Sequence, residues 1–215
     1  MGTVSRQRPG LRPPRPGDAG RVPTTSRRRP LFRCGAAHHR QPWWFSTRTD
    51  NPHPGRFDLS WPNGTCYWAL SPATAIIERT TDPDQVDEPV LSLDALAGLT
   101  VWEASEVPAA RSRLADTTRP SVPTLTGEIA TVVPYTLAWA WADAFHAEGR
   151  SGVLYVARFA MDESVALFGE AGAPAASPTS EPTPAMAHLD ALPDGFRAGL
   201  GTVGDLDALD RAPAP

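Results

Sequence analysis

The chain has 215 residues, 41% of them hydrophobic, 20% charged and 8% aromatic, with a formal net charge of −4. That length suits one ordinary domain with tails; no window approaches the ~18 consecutive apolar residues of a membrane span, and the arginine-rich start lacks the apolar stretch of a secretory signal. Two cysteines, Cys34 and Cys66, are too few for a disulfide framework, and no CxxC or HxxxH spacing suggests a metal site. Free thiols in a cytoplasmic protein without a metal are expected.

The first segment, residues 1–30, carries Arg6, Arg8, Arg12, Arg15, Arg21, Arg27, Arg28 and Arg29 against a single acid, Asp18, and holds no aromatic residue. Such a composition predicts a disordered leader. All 20 basic residues of the chain are arginine, so the other 12 face 23 acids in the body of the protein. An acidic body disfavours direct nucleic-acid binding. From Ala171 the composition turns to Ala, Pro, Ser and Thr, which predicts a linker over 171–187 and an acidic, mostly disordered tail over 188–215. All seven tryptophans and all three tyrosines lie between Trp43 and Tyr155. The folding unit is therefore placed at 31–170.

Within that unit GTCYWAL, after the turn signal Pro62-Asn63-Gly64, reads as a strand with Thr65, Tyr67 and Ala69 on one face and Cys66, Trp68 and Leu70 on the other. Ser71 as N-cap and Pro72 at the first helical position start a helix running to Thr80, which carries Glu78. Two short strands are expected at Val90–Leu93 and Leu99–Trp102, separated by a turn from Asp94 to Gly98. From Tyr135 to Glu148 the period is helical, with Leu137, Trp141 and Phe145 four apart and Gly149 as a stop. The stretch GVLYVARF then reads as a strand with Val153, Tyr155, Ala157 and Phe159 on one side, and Ser164–Phe168 as a last one. The inventory predicts an α+β domain built on a mixed sheet. Neither GxGxxG nor a P-loop is present, so phosphate recognition falls to side chains.

Four residues sit at element edges rather than on solvated helix faces: Arg33 in LFRC, Arg56 in PGRFDL, Tyr67 and Glu78. Taken singly, each has an ordinary structural reading: an ion-paired arginine, a strand tyrosine, a solvated carboxylate. His38 and His39 read as an exposed loop pair. Ser46 and Ser71 lie in no GxSxG, which removes support for a serine-hydrolase triad.

In order, LFRC, WWFSTR, GRFDL, PNGTCYWA, SPATAIIER, the helix YTLAWAWADAF and SGVLYVARF…SVALF resemble the RES domain family over about Leu31 to Phe168. The glutamate eleven residues beyond the tyrosine is part of that pattern. The resemblance implies a fold similar to ADP-ribosyltransferases and the activity of type II toxin-antitoxin toxins, which consume NAD by phosphorolysis or hydrolysis beside Xre-like antitoxins. It also implies roles: Glu78, Arg33 and Tyr67 are catalytic, and Arg56 is a second positively charged residue, binding the substrate. The family serine belongs in a Y-x-S-R motif, and here Tyr155-Val156-Ala157-Arg158 puts Ala157 at its position. Three functions follow from the resemblance: an NAD phosphorylase or glycohydrolase attenuated by Ala157, an inactive module that binds NAD, ADP-ribose or a partner, and a mono-ADP-ribosyltransferase acting on a protein. A homo-oligomer is compatible with all three.

The residue types suit that reaction. Nicotinamide leaves NAD as a neutral molecule, so no general acid is needed, and one carboxylate suffices to steady the sugar cation where glycosidases use two. A planar guanidinium fits a pyrophosphate bidentately. NAD is then a substrate rather than a cofactor, and inorganic phosphate a candidate co-substrate. A serine hydroxyl in such a site would serve as a hydrogen-bond partner. Its loss, at ~1–3 kcal/mol in the transition state, would slow turnover roughly 5- to 150-fold.

Overall fold

The computed structural model describes residues 10–27, 30–39, 41–49, 51–81, 93–105, 107, 112–119, 121–174 and 181–198. Eight strands form one sheet: β1 (Thr24–Thr25), β2 (Leu31–Ala36), β3 (Asn63–Ala69), β4 (Leu99–Ala104), β5 (Leu114–Asp116), β6 (Gly152–Val156), β7 (Glu163–Glu170) and β8 (Thr183–Pro184). Their order across the sheet is β1-β5-β6-β7-β3-β2-β4-β8, and only the β5–β6 pair is parallel. The helices are α1 (Asp18–Arg21), α2 (Pro72–Thr80), α3 (Leu93–Ala97), α4 (Thr136–Ala147) and α5 (Asp194–Ala198). The protein is thus α+β on a mixed sheet, as its periodicities predict.

The central strands β3, β7 and β6 are covered on both faces, and their alternation sorts the core into two clusters. Val153, Tyr155, Ala166 and Phe168 pack with Trp141, Ala142 and Phe145 of α4 on one side. Cys66, Trp68, Leu154, Val165 and Leu167 pack with Leu31 and Trp43 on the other. A third cluster, of Cys34, Ile76, Ile77, Leu96 and Val101, seats α2 on β2 and β4. The local signals for α2 and α4 are used as expected. The Ser71 hydroxyl accepts from the Thr74 N–H at 3.1 Å, and Gly149 closes α4 at a φ of 68°, where a Cβ would be strained.

Four expectations need correction. Residues 93–97 form a short helix where a strand end at Leu93 and a turn from Asp94 to Gly98 are expected, because Leu96 finds a fully buried seat in the third cluster. Strand β6 ends at Val156, so Ala157 lies in a turn, donating its N–H to the Asp162 carbonyl at 2.7 Å. Of the leader thought disordered, residues 10–27 are packed. There β1 pairs with β5, Leu11, Ala19 and Val22 are buried, and Arg27 makes two 2.8 Å bonds to Glu163. The segment brings no aromatic of its own; the body lends one, since Trp141 donates its indole N–H to the Arg12 carbonyl at 2.8 Å. Buried Arg150 likewise bonds the carbonyls of Ala19, Gly20 and Val22. Of the linker and tail, residues 183–192 also pack: β8 pairs with β4, and Ala185 and Leu192 enter the third cluster. A few apolar residues suffice where a neighbouring surface lies open to receive them. The strand expected at Val90–Leu93 and the ends 1–9 and 199–215 lie outside the described residues, apart from Leu93, which opens α3.

Deleting residues 1–22 removes the cover of Trp141 and the acceptors of Arg150. The expected loss is ~2 kcal/mol or more of unfolding free energy, read from the denaturant midpoint at constant m-value. An unchanged midpoint would mean that the segment contributes no packing.

Candidate active site

Between α2, β2, β3 and the adjoining ends of β6 and β7 lies a cavity of about 470 Å³, lined by Arg33, Tyr67 and Glu78 together with Asp58, Tyr155 and Ser164, among others. Three of the sequence candidates are therefore brought together by three different elements. Arg56 and Ala157 are not among its lining residues.

Glu78 is positioned by helix geometry. It stands one turn beyond Thr74, so both side chains leave the same face of α2. Both reach the β6–β7 turn. The Thr74 hydroxyl donates to Asp162 at 2.9 Å, while Glu78 Oε1 accepts the N–H groups of Phe159 at 2.6 Å and Ala160 at 3.0 Å. Two amide bonds on one oxygen fix the plane of the carboxylate. Its Oε2 has no protein partner among the described residues.

Tyr67 is held by its hydroxyl. The oxygen accepts the Phe57 N–H at 2.8 Å and donates to Asp58 Oδ1 at 2.8 Å. Asp58, fully buried, also accepts from the Ser46 hydroxyl at 3.0 Å and from the Gly55 N–H at 2.8 Å. Burial pushes the Asp58 carboxyl up, and these three donors partly restore it. Burial, and then the Asp58 charge, push the Tyr67 phenol well above its ordinary value. The phenol is thus a fixed wall with its proton committed to Asp58. Only glycine fits at position 55, since a Cβ there would stand 2.6 Å from the Tyr67 hydroxyl.

Arg33, in β2 opposite Trp102, donates from Nη1 to Cys66 Sγ at 2.7 Å and to the Trp44 carbonyl at 3.4 Å. Burial pushes the Cys66 thiol up, with Arg33 pulling the other way, so the sulfur accepts as a neutral thiol.

Arg56 departs from expectation. It is buried, and its guanidinium lies 5.5 Å from the Tyr135 ring centroid and 5.9 Å from that of Tyr155. The flanking residues explain this: Gly55 and Phe57 are engaged with Asp58 and Tyr67, which turns Arg56 into the tyrosine pair. It acts on the cavity through Tyr155, a lining residue. Ala157, fully buried at the start of the turn that grips Glu78, is also one step removed from the cavity.

The sequence reading missed Asp58, Tyr155 and Ser164 as site residues. Ser164 pairs with Tyr155 across β6 and β7, so the cavity does contain a serine hydroxyl, on the strand that follows the turn holding Ala157. Strand register was the signal that could have found it. Burial pushes the Tyr155 phenol up as well; Arg56 and Ser164 oppose this, while Glu78 adds to it. His38 and His39 are exposed, as expected.

A pocket with a fixed carboxylate, a guanidinium and two aromatic rings can hold a charged, ring-bearing substrate and steady a developing cation. Among the described residues no group of three His, Cys, Asp or Glu side chains could hold a metal ion, and no helix is long and apolar enough to cross a membrane.

The RES domain profile matches residues 30–190, and the chain belongs to the RES domain family. Among solved structures it is similar to a chain of the M. tuberculosis MbcT–MbcA toxin–antitoxin complex, with a TM-score of 0.55 at 15% identity, covering 84% of this chain and 96% of that one. No curated protein matches the sequence.

Both phenols have folded-state pKa values above the ordinary 10.0. The stability they confer is fully present below that pH and is lost as the pH rises beyond it. An alkaline titration followed by phenolate absorbance should show Tyr67 and Tyr155 ionising only as the chain unfolds, whereas the denatured chain ionises all three tyrosines near pH 10. A native chain that ionised all three reversibly near pH 10 would contradict the clamp.

Proposed function

We propose that this chain is a toxin-like enzyme that degrades NAD by cleaving the bond between nicotinamide and ribose, with phosphate or water as acceptor. The observation that carries the reading is the convergence of Arg33, Tyr67 and Glu78 on one cavity in a chain of the RES family. Glu78 turns its Oε2 toward the ribose as the pyridinium departs, stabilising positive charge on the sugar and holding a hydroxyl. Tyr67 and Tyr155 present rings against the nicotinamide. Arg33 holds a phosphate of the dinucleotide. No proton has to reach the leaving group, which agrees with a phenol already committed to Asp58. NAD is consumed, so the reading requires no resident cofactor.

A protein antitoxin that covers the cavity is part of the proposal; the similar solved fold is seen in a toxin–antitoxin complex, and we assign the partner to the Xre-like class. The cytoplasm, where NAD and such a partner would meet, is the proposed location. A catalytically silent module that binds NAD or ADP-ribose is the second reading, and Ala157 is the observation in its favour. In the first reading Ala157 slows turnover and leaves the turn that grips Glu78 intact.

Two substitutions test the proposal through nicotinamide release. Glu78→Gln should abolish release while the thermal midpoint moves little, because the amide oxygen can still accept from Phe159 and Ala160. Release that persists would show that the carboxylate is not required. Because Ala157 lies outside the cavity lining, Ala157→Ser acts through the turn that holds Glu78 and should raise the rate by less than the roughly 5- to 150-fold of a directly regained transition-state hydrogen bond. Equal rates for the two forms would contradict attenuation, and the absence of release in both would favour the silent module.

A further inference from the structure

Beside the reaction cavity lies a second, of about 680 Å³, and the two share Arg33, Cys34 and Arg79. Each has the size of a small-ligand site. The second is walled by Trp43, Trp44 and Trp102, with His39 beside them. Trp44 is 58% exposed, an uncovered indole at a cavity rim.

The junction is positively charged and unneutralised. Both bonds of Arg33 leave from Nη1, so its other guanidinium edge meets no protein acceptor among the described residues. Arg79 makes no ion pair among the described residues. His39 feels both: burial lowers its pKa, and His38, Arg79 and Arg33 lower it further. Two guanidinium groups that make no ion pair among the described residues focus a positive potential where the cavities meet.

Two guanidinium groups between two ring-lined cavities match a molecule with a pyrophosphate at its middle and a flat heterocycle at each end. We infer that the second cavity receives the adenosine half of NAD, with adenine stacked on the exposed Trp44 and the pyrophosphate held between Arg33 and Arg79. This rests on the NAD reading and extends it: Arg79, not Arg56, is the second arginine on the substrate, and the tryptophan cavity sets the preference for a dinucleotide over a mononucleotide. Arg56 stays with its tyrosines, and the Cys66 thiol stays as the brace that aims Arg33.

The full chain is titrated with ADP-ribose and with ribose 5-phosphate by calorimetry, apart from any assay of cleavage. Trp44→Ala should weaken ADP-ribose binding about 5- to 150-fold, the span of one base–aromatic stack, and leave ribose 5-phosphate unchanged. Trp44→Phe should restore most of the affinity. Arg79→Gln should weaken ADP-ribose without affecting adenosine. Trp102 is buried and its removal could unfold the chain, so the exposed Trp44 carries the test. The inference is overturned if ADP-ribose does not bind the unmodified chain, or binds no better than ribose 5-phosphate, or is indifferent to Trp44→Ala. Nicotinamide release from NAD is measured in parallel. Release with no Trp44 effect sinks only this inference; ADP-ribose binding that depends on Trp44 without release sinks only the cleavage reading.

Discussion

A single carboxylate oxygen joins helix α2 to the turn between β6 and β7. Glu78 Oε1 takes the amides of Phe159 and Ala160, and one helical turn earlier Thr74 reaches Asp162 in the same turn. These bonds anchor α2, which contributes Ala75, Glu78 and Arg79 to the cavity lining. Ile76 and Ile77 press the helix onto the sheet while Thr74 and Glu78 meet the turn. A carboxylate held this way is pre-aimed and has little freedom left to lose.

The facing wall follows a similar plan with different chemistry. Asp58 gathers Ser46, Gly55 and Tyr67 around one buried carboxyl group, and the phenol in turn supports the Phe57 amide. Such a network is stable because each polar group has a partner; any one of them left alone would cost about 1–3 kcal/mol. Arg56 is the exception, a buried guanidinium whose Nε has no acceptor and whose stabilisation comes from two tyrosine faces. Ala157 fits the same picture. It sits fully buried at the root of the gripping turn, outside the cavity lining.

Much of this was legible in the residues. The alternation in GTCYWAL places Tyr67 with the α4 cluster and Cys66 with the opposite one, and the Ser71-Pro72 start fixes α2 to the residue. Those signals are local, and local chemistry decides them. The misreadings share a cause, which is partnership at a distance. Residues 10–27 fold because Trp141 and Arg150 supply what the segment lacks, and residues 183–192 fold because α2 and β4 leave a seat open. Composition within a window registers neither. Ser164 and Tyr155 become neighbours only through strand register, and Arg56 turns away from the cavity because of bonds made by the residues on either side of it.

The order of the sheet also bears on how the chain is made. The bond between Phe159 and Glu78 spans 81 residues, and Trp141 meets Arg12 across 129. Domains emerge from the ribosome N-terminus first, at about 5–20 residues per second. Arginine, phenol and carboxylate are therefore all synthesised several seconds before the turn that aims the acid. A nascent or prematurely ended product lacking β6 and β7 would carry three of the candidate groups in an unassembled state. The cavity is thus assembled only with the last third of the message.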